Sequence, residues 1–292
     1  MSERAYRRFV LPLLAVVASM VTIQLATSYS KSIFYAFGPN GAATLRLGAA
    51  AITLNLVLRP WRSWPARPKL GRLLAAGASL STMILLGHLA LAEQHVGAAY
   101  SLFILGPLGL SAANSRRARD IIWVLIAALG VWALASAGHR ETANLRSILF
   151  ALGAAAAWAG YIHFGTAATD EFGHAAPALV TALAAIGTLP FGAAHAARIL
   201  SEPALLPVVL FAGAGSTALT CALEMYAMPR LPSRTFGISM CLDPGWAALV
   251  GYLVLGEVLS PIEGVGLGAV VMAAIGSVCT SNSRAGAEGA DP

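Results

Sequence analysis

Cut at its charged and Pro/Gly-rich breaks, this chain falls into ten apolar stretches. They run over 11–35, 41–58, 72–92, 96–114, 120–137, 146–168, 177–197, 205–227, 234–255 and 261–280. A bilayer core about 30 Å thick is crossed by roughly 20 apolar residues in a helix. In hydrocarbon every backbone polar group must be satisfied internally, which a helix does within one segment. The connections are too short to hold a soluble domain. Composition agrees: 58% of the 292 residues are hydrophobic and 11% charged, where soluble domains carry about 25% charge. The expected class is an all-α integral membrane protein of ten transmembrane helices. "RAYRRFVLPLLAVVASM" starts like a signal peptide, but the apolar run continues past Gln24 toward Lys31 without a clear small-residue cleavage site. It is read as a retained first span.

A net charge of +6 points to the loops and not to nucleic acid, because no basic stripe carries interleaved aromatics. With the N-terminus placed in the cytoplasm, the inner loops hold Arg4, Arg7, Arg8, Arg59, Arg62, Arg67, Lys69, Arg72, Arg116, Arg117, Arg119, Arg230, Arg234 and Arg284. The outer side holds Arg140, Arg146 and Arg198. The positive-inside rule therefore puts both termini in the cytoplasm, with the lipid bilayer as the surrounding partner. Cys221, Cys241 and Cys279 lie in apolar stretches without metal-ligand spacing. They read as small hydrophobes, and no metal or other cofactor is expected.

Ten spans divide into five and five. "YSLFILGPLGLSAA" and "GISMCLDPGWAALV" share a mid-span proline, and Pro107 and Pro244 stand 137 residues apart. The first and sixth stretches both carry polar or aromatic residues mid-helix, in "TIQLATSYSK" and "WAGYIHFGTA". Because five is odd, such halves insert in opposite orientations, an arrangement transporters use to build a midplane site. The halves are expected at 1–137 and 138–281, with a disordered cytoplasmic tail at 282–292.

The sharpest local signal is Asp243–Pro244 at the centre of the ninth stretch. Pro244 lacks an N–H, so the Met240 carbonyl loses its helical partner. A charged Asp243 adds roughly 2.5–3.5 kcal/mol at mid-span on insertion scales. Both costs fall if this face lines a water-filled cavity. Pro107 frees the Phe103 carbonyl in the same way, although a plain kink would also account for it. Asp243 reads as the only carboxylate so deep.

Here the sequence resembles a known family. "LEMYAMPRLPSRTFGISMCLDPGWAALVGYLVLGEVLSPIEGVGLGAVVMAAIGS" is similar to the second half of EamA-type members of the drug/metabolite transporter superfamily. Asp243–Pro244, the closing Leu255–Gly256–Glu257 and the glycine-rich tenth stretch carry the likeness, and "SYSKSIFYAFGPNGAATLRLGAA" adds to it. Bacterial threonine/homoserine exporters resemble it most, with YddG-type aromatic amino-acid exporters close by. The resemblance implies two inverted five-helix repeats around a central cavity. One departure stands out: the acid that such exporters can carry before the fourth-span proline is absent from "SLFILGP", so Asp243 is expected to act alone.

Further candidate substrate-binding residues are Gln24, His88, Tyr100, Trp158, Tyr161, His163 and Ser239. Gln24 and His88 suit either a solute or a bond to a neighbouring helix. Trp158 and Tyr161, three apart, share a helix face and suit either packing or an apolar cavity wall. Lys31, Arg46 and Glu93 fall toward the outer span ends, and Glu224, Arg230 and Arg234 toward the inner ends. They are candidate gates, with interfacial anchoring as the plainer reading. Glu263 is accounted for as part of a capping box begun by Ser260. Gly264 and Gly268 form a small-xxx-small ridge, consistent with a monomer or a weak homodimer.

The leading function is a secondary transporter exporting amino acids or similar amphipathic metabolites across the bacterial inner membrane. No Walker A loop is present, so the drive is a gradient. An intramembrane enzyme acting on a lipid-linked substrate is the rival from another class. It lacks a converging nucleophile or metal set, and no HExxH occurs. A drug or lipid exporter is the third option, disfavoured for a lipid because the polar residues are spread over several spans.

Overall fold

The computed structural model describes residues 10–65, 68–93, 99, 102–114, 118–137, 145–243, 246, 261–262, 264–266, 268–273 and 275–276. Tyr100, Pro244, Glu263, Leu255–Gly256–Glu257 and the tail lie outside these residues, and of Lys31 and Arg234 only the backbone is described.

Among the described residues there is no strand. The helices are α1 (Leu11–Leu58), α2 (Leu70–Glu93), α3 (Leu105–Ala113), α4 (Ala118–Ala137), α5 (Leu145–Phe172), α6 (Ala176–Ala196), α7 (Leu206–Leu210), α8 (Leu219–Ala227) and α9 (Ser233–Met240). A π-helical segment, Phe211–Ala218, joins α7 to α8, and residues 261–276 are helical wherever described. Four runs are each long and apolar enough to cross a bilayer: Ile33–Arg62, Leu70–Glu93, Leu145–Leu200 and Pro203–Ala227. The chain is an all-α membrane protein.

Two glycines divide these runs where the sequence predicts breaks. Gly38, at φ 66° and ψ 175°, interrupts α1 just before Pro39. Gly173, at φ 54°, ends α5, and Pro177 opens α6. Positive φ costs an L-residue about 1 kcal/mol or more and glycine nothing, so both turns take glycine. The apolar run Leu145–Leu200 thus holds two expected spans. α3 begins nine residues inside the fourth expected stretch (96–114), after a turn at Ile104, with Pro107 inside its first turn.

Lipid tails are as apolar as leucine, so helices in a membrane associate through close packing and interhelical hydrogen bonds. Both are present. Buried positions are rich in alanine, among them Ala50, Ala76, Ala154, Ala155, Ala184 and Ala212. Large side chains such as Ile52, Leu129, Trp132, Leu149 and Val265 sit outside, facing what would be lipid. Asn55 Nδ2 donates to Ala178 O (3.0 Å) and Thr44 Oγ1 to Thr188 O (3.3 Å), tying the second half of α1 to α6. Thr220 Oγ1 donates to Ser19 O (3.3 Å), tying α8 to the first half of α1. Such bonds contribute about 0.6 to 2 kcal/mol each.

α2 packs on α5 and α6, and α3 packs on α5 and α9. α4 meets the last helix through Val124, Ala127, Val131, Val270 and Ala273. Both halves of α1, α2, α5, the π segment with α8, and the end of α9 contribute to the wall of one space.

Candidate functional site: a charged cavity inside the bundle

That space is a cavity of about 540 Å³. Most of its wall is apolar, with Met20, Met83, Met240, Phe34, Phe103 and Trp158 among the lining side chains. Into it also come one guanidinium, Arg46, one imidazole, His88, and two carboxylates, Glu224 and Asp243. All four are buried, at 8%, 4%, 9% and 4% exposure. Charged side chains this deep cost several kcal/mol each unless paired or wetted, so they concentrate where a cavity or partner relieves them.

Three of the four are held by a hydrogen bond. Gln24 Nε2 donates to Asp243 Oδ1 at 2.9 Å, linking the first half of α1 to the end of α9. Arg46 Nη2 donates to Thr217 Oγ1 at 3.2 Å, and that hydroxyl donates in turn to Ala212 O at 2.9 Å. The π segment makes this possible, because its wider turn places Thr217 over the carbonyl five residues back. Short π stretches recur at functional sites for such reasons. His88 Nδ1 donates to Ile84 O at 2.8 Å, and its ring stacks on Phe34 with centroids 5.0 Å apart and planes 8° apart. Glu224 and Asp243 lie within electrostatic reach of each other, as do Arg46 and His88.

The structure brings together Asp243, His88 and Trp158, with Gln24 holding Asp243. It separates others. Trp158 is on the cavity wall, but Tyr161 is fully buried in the core. Their three-residue spacing leaves them about 60° apart around the helix, enough to send one to the cavity and one behind it. His163 is exposed, edge-on to Phe164, since two helical positions from Tyr161 is about a 200° turn. Ser239 is fully buried behind the wall that its neighbour Met240 lines.

The candidate gates are redistributed. Arg46 and Glu224, expected at opposite mouths, both line the one cavity. Asp243 is therefore not the sole deep carboxylate. Glu93 instead pairs with the exposed Arg146, Oε1 to Nε 3.4 Å. Arg230 is exposed, in the turn after α8, and folds back on that helix, donating to Tyr226 O at 2.6 Å with its guanidinium 4.0 Å from the Tyr226 ring centroid. Pro107 sits on the α3–α9 contact, where its carbonyl accepts from Ser111 Oγ at 2.9 Å. Sequence reasoning missed Phe34, Phe103 and Thr217, which carry no signal distinguishing a cavity wall from a core. Among the described residues, no cluster of three or more His, Cys, Asp or Glu side chains is arranged to hold a metal.

Known proteins share this arrangement of chain. The threonine/homoserine exporter RhtA of Escherichia coli K12 is 38% identical over 271 residues, which span 92% of each chain. RhtA of Salmonella typhimurium LT2 is 39% identical over the same share of each chain. A protein of known crystal structure, 17% identical, superposes with a TM-score of 0.72 over 94% of this chain and 99% of its own, so the fold is shared. The EamA-like transporter family matches residues 145–279. With the whole-length likeness to RhtA beside that match, the chain belongs to the EamA-like transporter family.

Proposed function

We propose that this protein is a secondary exporter of small amino acids in a bacterial inner membrane, working by alternating access around the cavity. The observation that carries the reading is the charge content of that cavity: one guanidinium and two carboxylates in an otherwise apolar wall. A zwitterion entering such a space must have both charges met, because unpaired charge in low dielectric is expensive. Arg46 suits the substrate carboxylate, and Asp243 with Glu224 suits the ammonium. Trp158 and Phe103 offer the surface on which an aliphatic side chain rests. The likeness to threonine/homoserine exporters supports the same class of solute.

The reading includes ten helices in two inverted halves, 1–137 and 138–281. Packing partners support it, because they exchange as a two-fold axis between the halves would require. α2 packs on α5, and the α8 region packs on the first half of α1. The second half of α1 faces α6, α3 faces α9, and α4 faces the last helix. Each of these last three pairs joins equivalent members of the two halves. His88 near the end of α2 and Glu224 near the end of α8 then occupy corresponding places.

Counterflow in proteoliposomes across a panel of amino acids tests the function. Exchange of small neutral amino acids is expected; exchange of none, with the protein folded, would remove the reading. Reporters test the topology. One fused after Pro292 should report cytoplasm, one in the 139–145 loop the opposite side, and agreement of the two would sink the inverted repeat.

A further inference from the structure

His88 has one ring nitrogen committed and one spare. A carbonyl cannot donate, so the bond to Ile84 O requires the proton on Nδ1. In the neutral imidazole Nε2 is then an acceptor. Nε2 is buried and meets no partner among the described residues, although His88 as a whole is 4% exposed and lines the cavity. The ring cannot swing to find one cheaply, since the Phe34 stack and the Ile84 bond fix its plane. An unmet buried acceptor is destabilising, and a donor on a bound ligand relieves it.

Two of the cavity's hydroxyl groups already have partners of their own. Thr217 Oγ1 both donates to Ala212 O and accepts from Arg46. Thr220 Oγ1 gives its proton to Ser19 O. The substrate ammonium has carboxylates to meet, which attract it more strongly than a neutral nitrogen beside a guanidinium does. What remains for Nε2 is an uncharged donor on the solute.

We infer that His88 is the specificity-determining residue that reads a hydroxyl on the transported side chain, accepting its hydrogen bond at Nε2. This rests on the amino-acid reading above and adds a selection rule to it: among solutes of equal size, the hydroxylated one is preferred. A site built to bond a hydroxyl penalises the analogue that lacks it, because the protein acceptor is left unpaired.

The test compares homoserine with norvaline, which puts a methyl where homoserine has its hydroxyl. Half-saturation is measured for both with the reconstituted full-length protein. The wild type should prefer homoserine by about tenfold or more. His88→Phe keeps a ring to stack on Phe34 and should bring the preference to within about twofold, chiefly by weakening homoserine while norvaline is still carried. His88→Gln, whose amide oxygen can accept, should recover part of the preference. Absence of a preference in the wild type overturns the inference without needing any variant. So does an equal loss for both solutes in His88→Phe and His88→Gln, which would mark a structural histidine. If the wild type carries neither solute nor any other amino acid, the export reading itself fails, a result separable from the other two.

Discussion

Gln24 Nε2 and Asp243 Oδ1 stand 2.9 Å apart, joining side chains 219 positions apart in sequence. The amide satisfies one carboxylate oxygen and fixes the plane of the group, and the same carboxylate forms part of the cavity wall. The acid is thus held in place at mid-bundle by an amide that brings no charge of its own to this bond. That combination suits a group that must meet an incoming ammonium and release it.

Asp243→Asn keeps an oxygen that can accept from Gln24 and removes the charge. Insertion and thermal stability in detergent should be little changed, because losing a buried charge lowers the desolvation cost. Transport should fall by at least about tenfold, the loss expected when one charge-assisted contact of roughly 1.5–3 kcal/mol goes. Wild-type transport by the folded variant across pH would make Asp243 structural.

Arg46→Lys separates charge from geometry. The guanidinium spans Thr217 and the cavity, whereas an ammonium is a point donor without the planar fork that carboxylates match. Apparent affinity for an amino acid should drop by about tenfold. Affinity for the matching decarboxylated amine should stay within about twofold, since it offers nothing to Arg46. An equal drop for both would show that Arg46 holds the π segment and not the solute.

How far the sequence leads depends on the residue. Asp243 is legible because little besides a polar cavity or a buried partner accounts for an acid inside an apolar helix. Arg46 and Glu224 read as mouth residues because each is close to a helix end: Arg46 lies within two turns of Pro39, and Glu224 within one turn of the turn residue Met228. The chain alone does not show that α6 and the π segment close over the face carrying Arg46, or that Glu224 lies within electrostatic reach of Asp243. The helices themselves are readable since their bounds are set locally, by Gly38, Gly173 and the prolines. The pairing of faces is set by packing between segments far apart, and a difference of about 60° on one helix decides between Trp158 and Tyr161.

That difference makes a paired prediction. Trp158→Ala removes cavity surface and should weaken bulky solutes selectively, by on the order of 3 kcal/mol if the ring is fully used, while a glycine-sized one is nearly unaffected. Tyr161 sits in the core beside Cys221 and Glu224. Tyr161→Ala should therefore lower the melting temperature and the activity for all solutes alike, at roughly 3–5 kcal/mol for a large core aromatic. Apparent affinities for one large and one small amino acid, measured beside melting curves, decide both. A uniform loss with a depressed melting point in Trp158→Ala would return that ring to the core.

Gly106 precedes Pro107 as Asp243 precedes Pro244, so it is the position where a second acid would stand in the first half. The structure leaves no room for one. A Cβ at Gly106 would run into the carbonyl oxygen of Ala155, with Ala155 C at 2.8 Å and Cα at 3.1 Å. The opposing atoms are backbone on α5, so relief requires moving a helix and not turning a side chain. Gly106→Ala should destabilise the protein by about 1–3 kcal/mol, the usual cost of forcing atoms into a packed interface. Gly106→Asp should fail to fold, because it adds an uncompensated carboxylate to the same clash. Thermal melting in detergent, with transport assayed on whatever survives, reads both. A stable and active Gly106→Asp would mean that α3 and α5 can part at this point, and that the site could be rebuilt with an acid from each half.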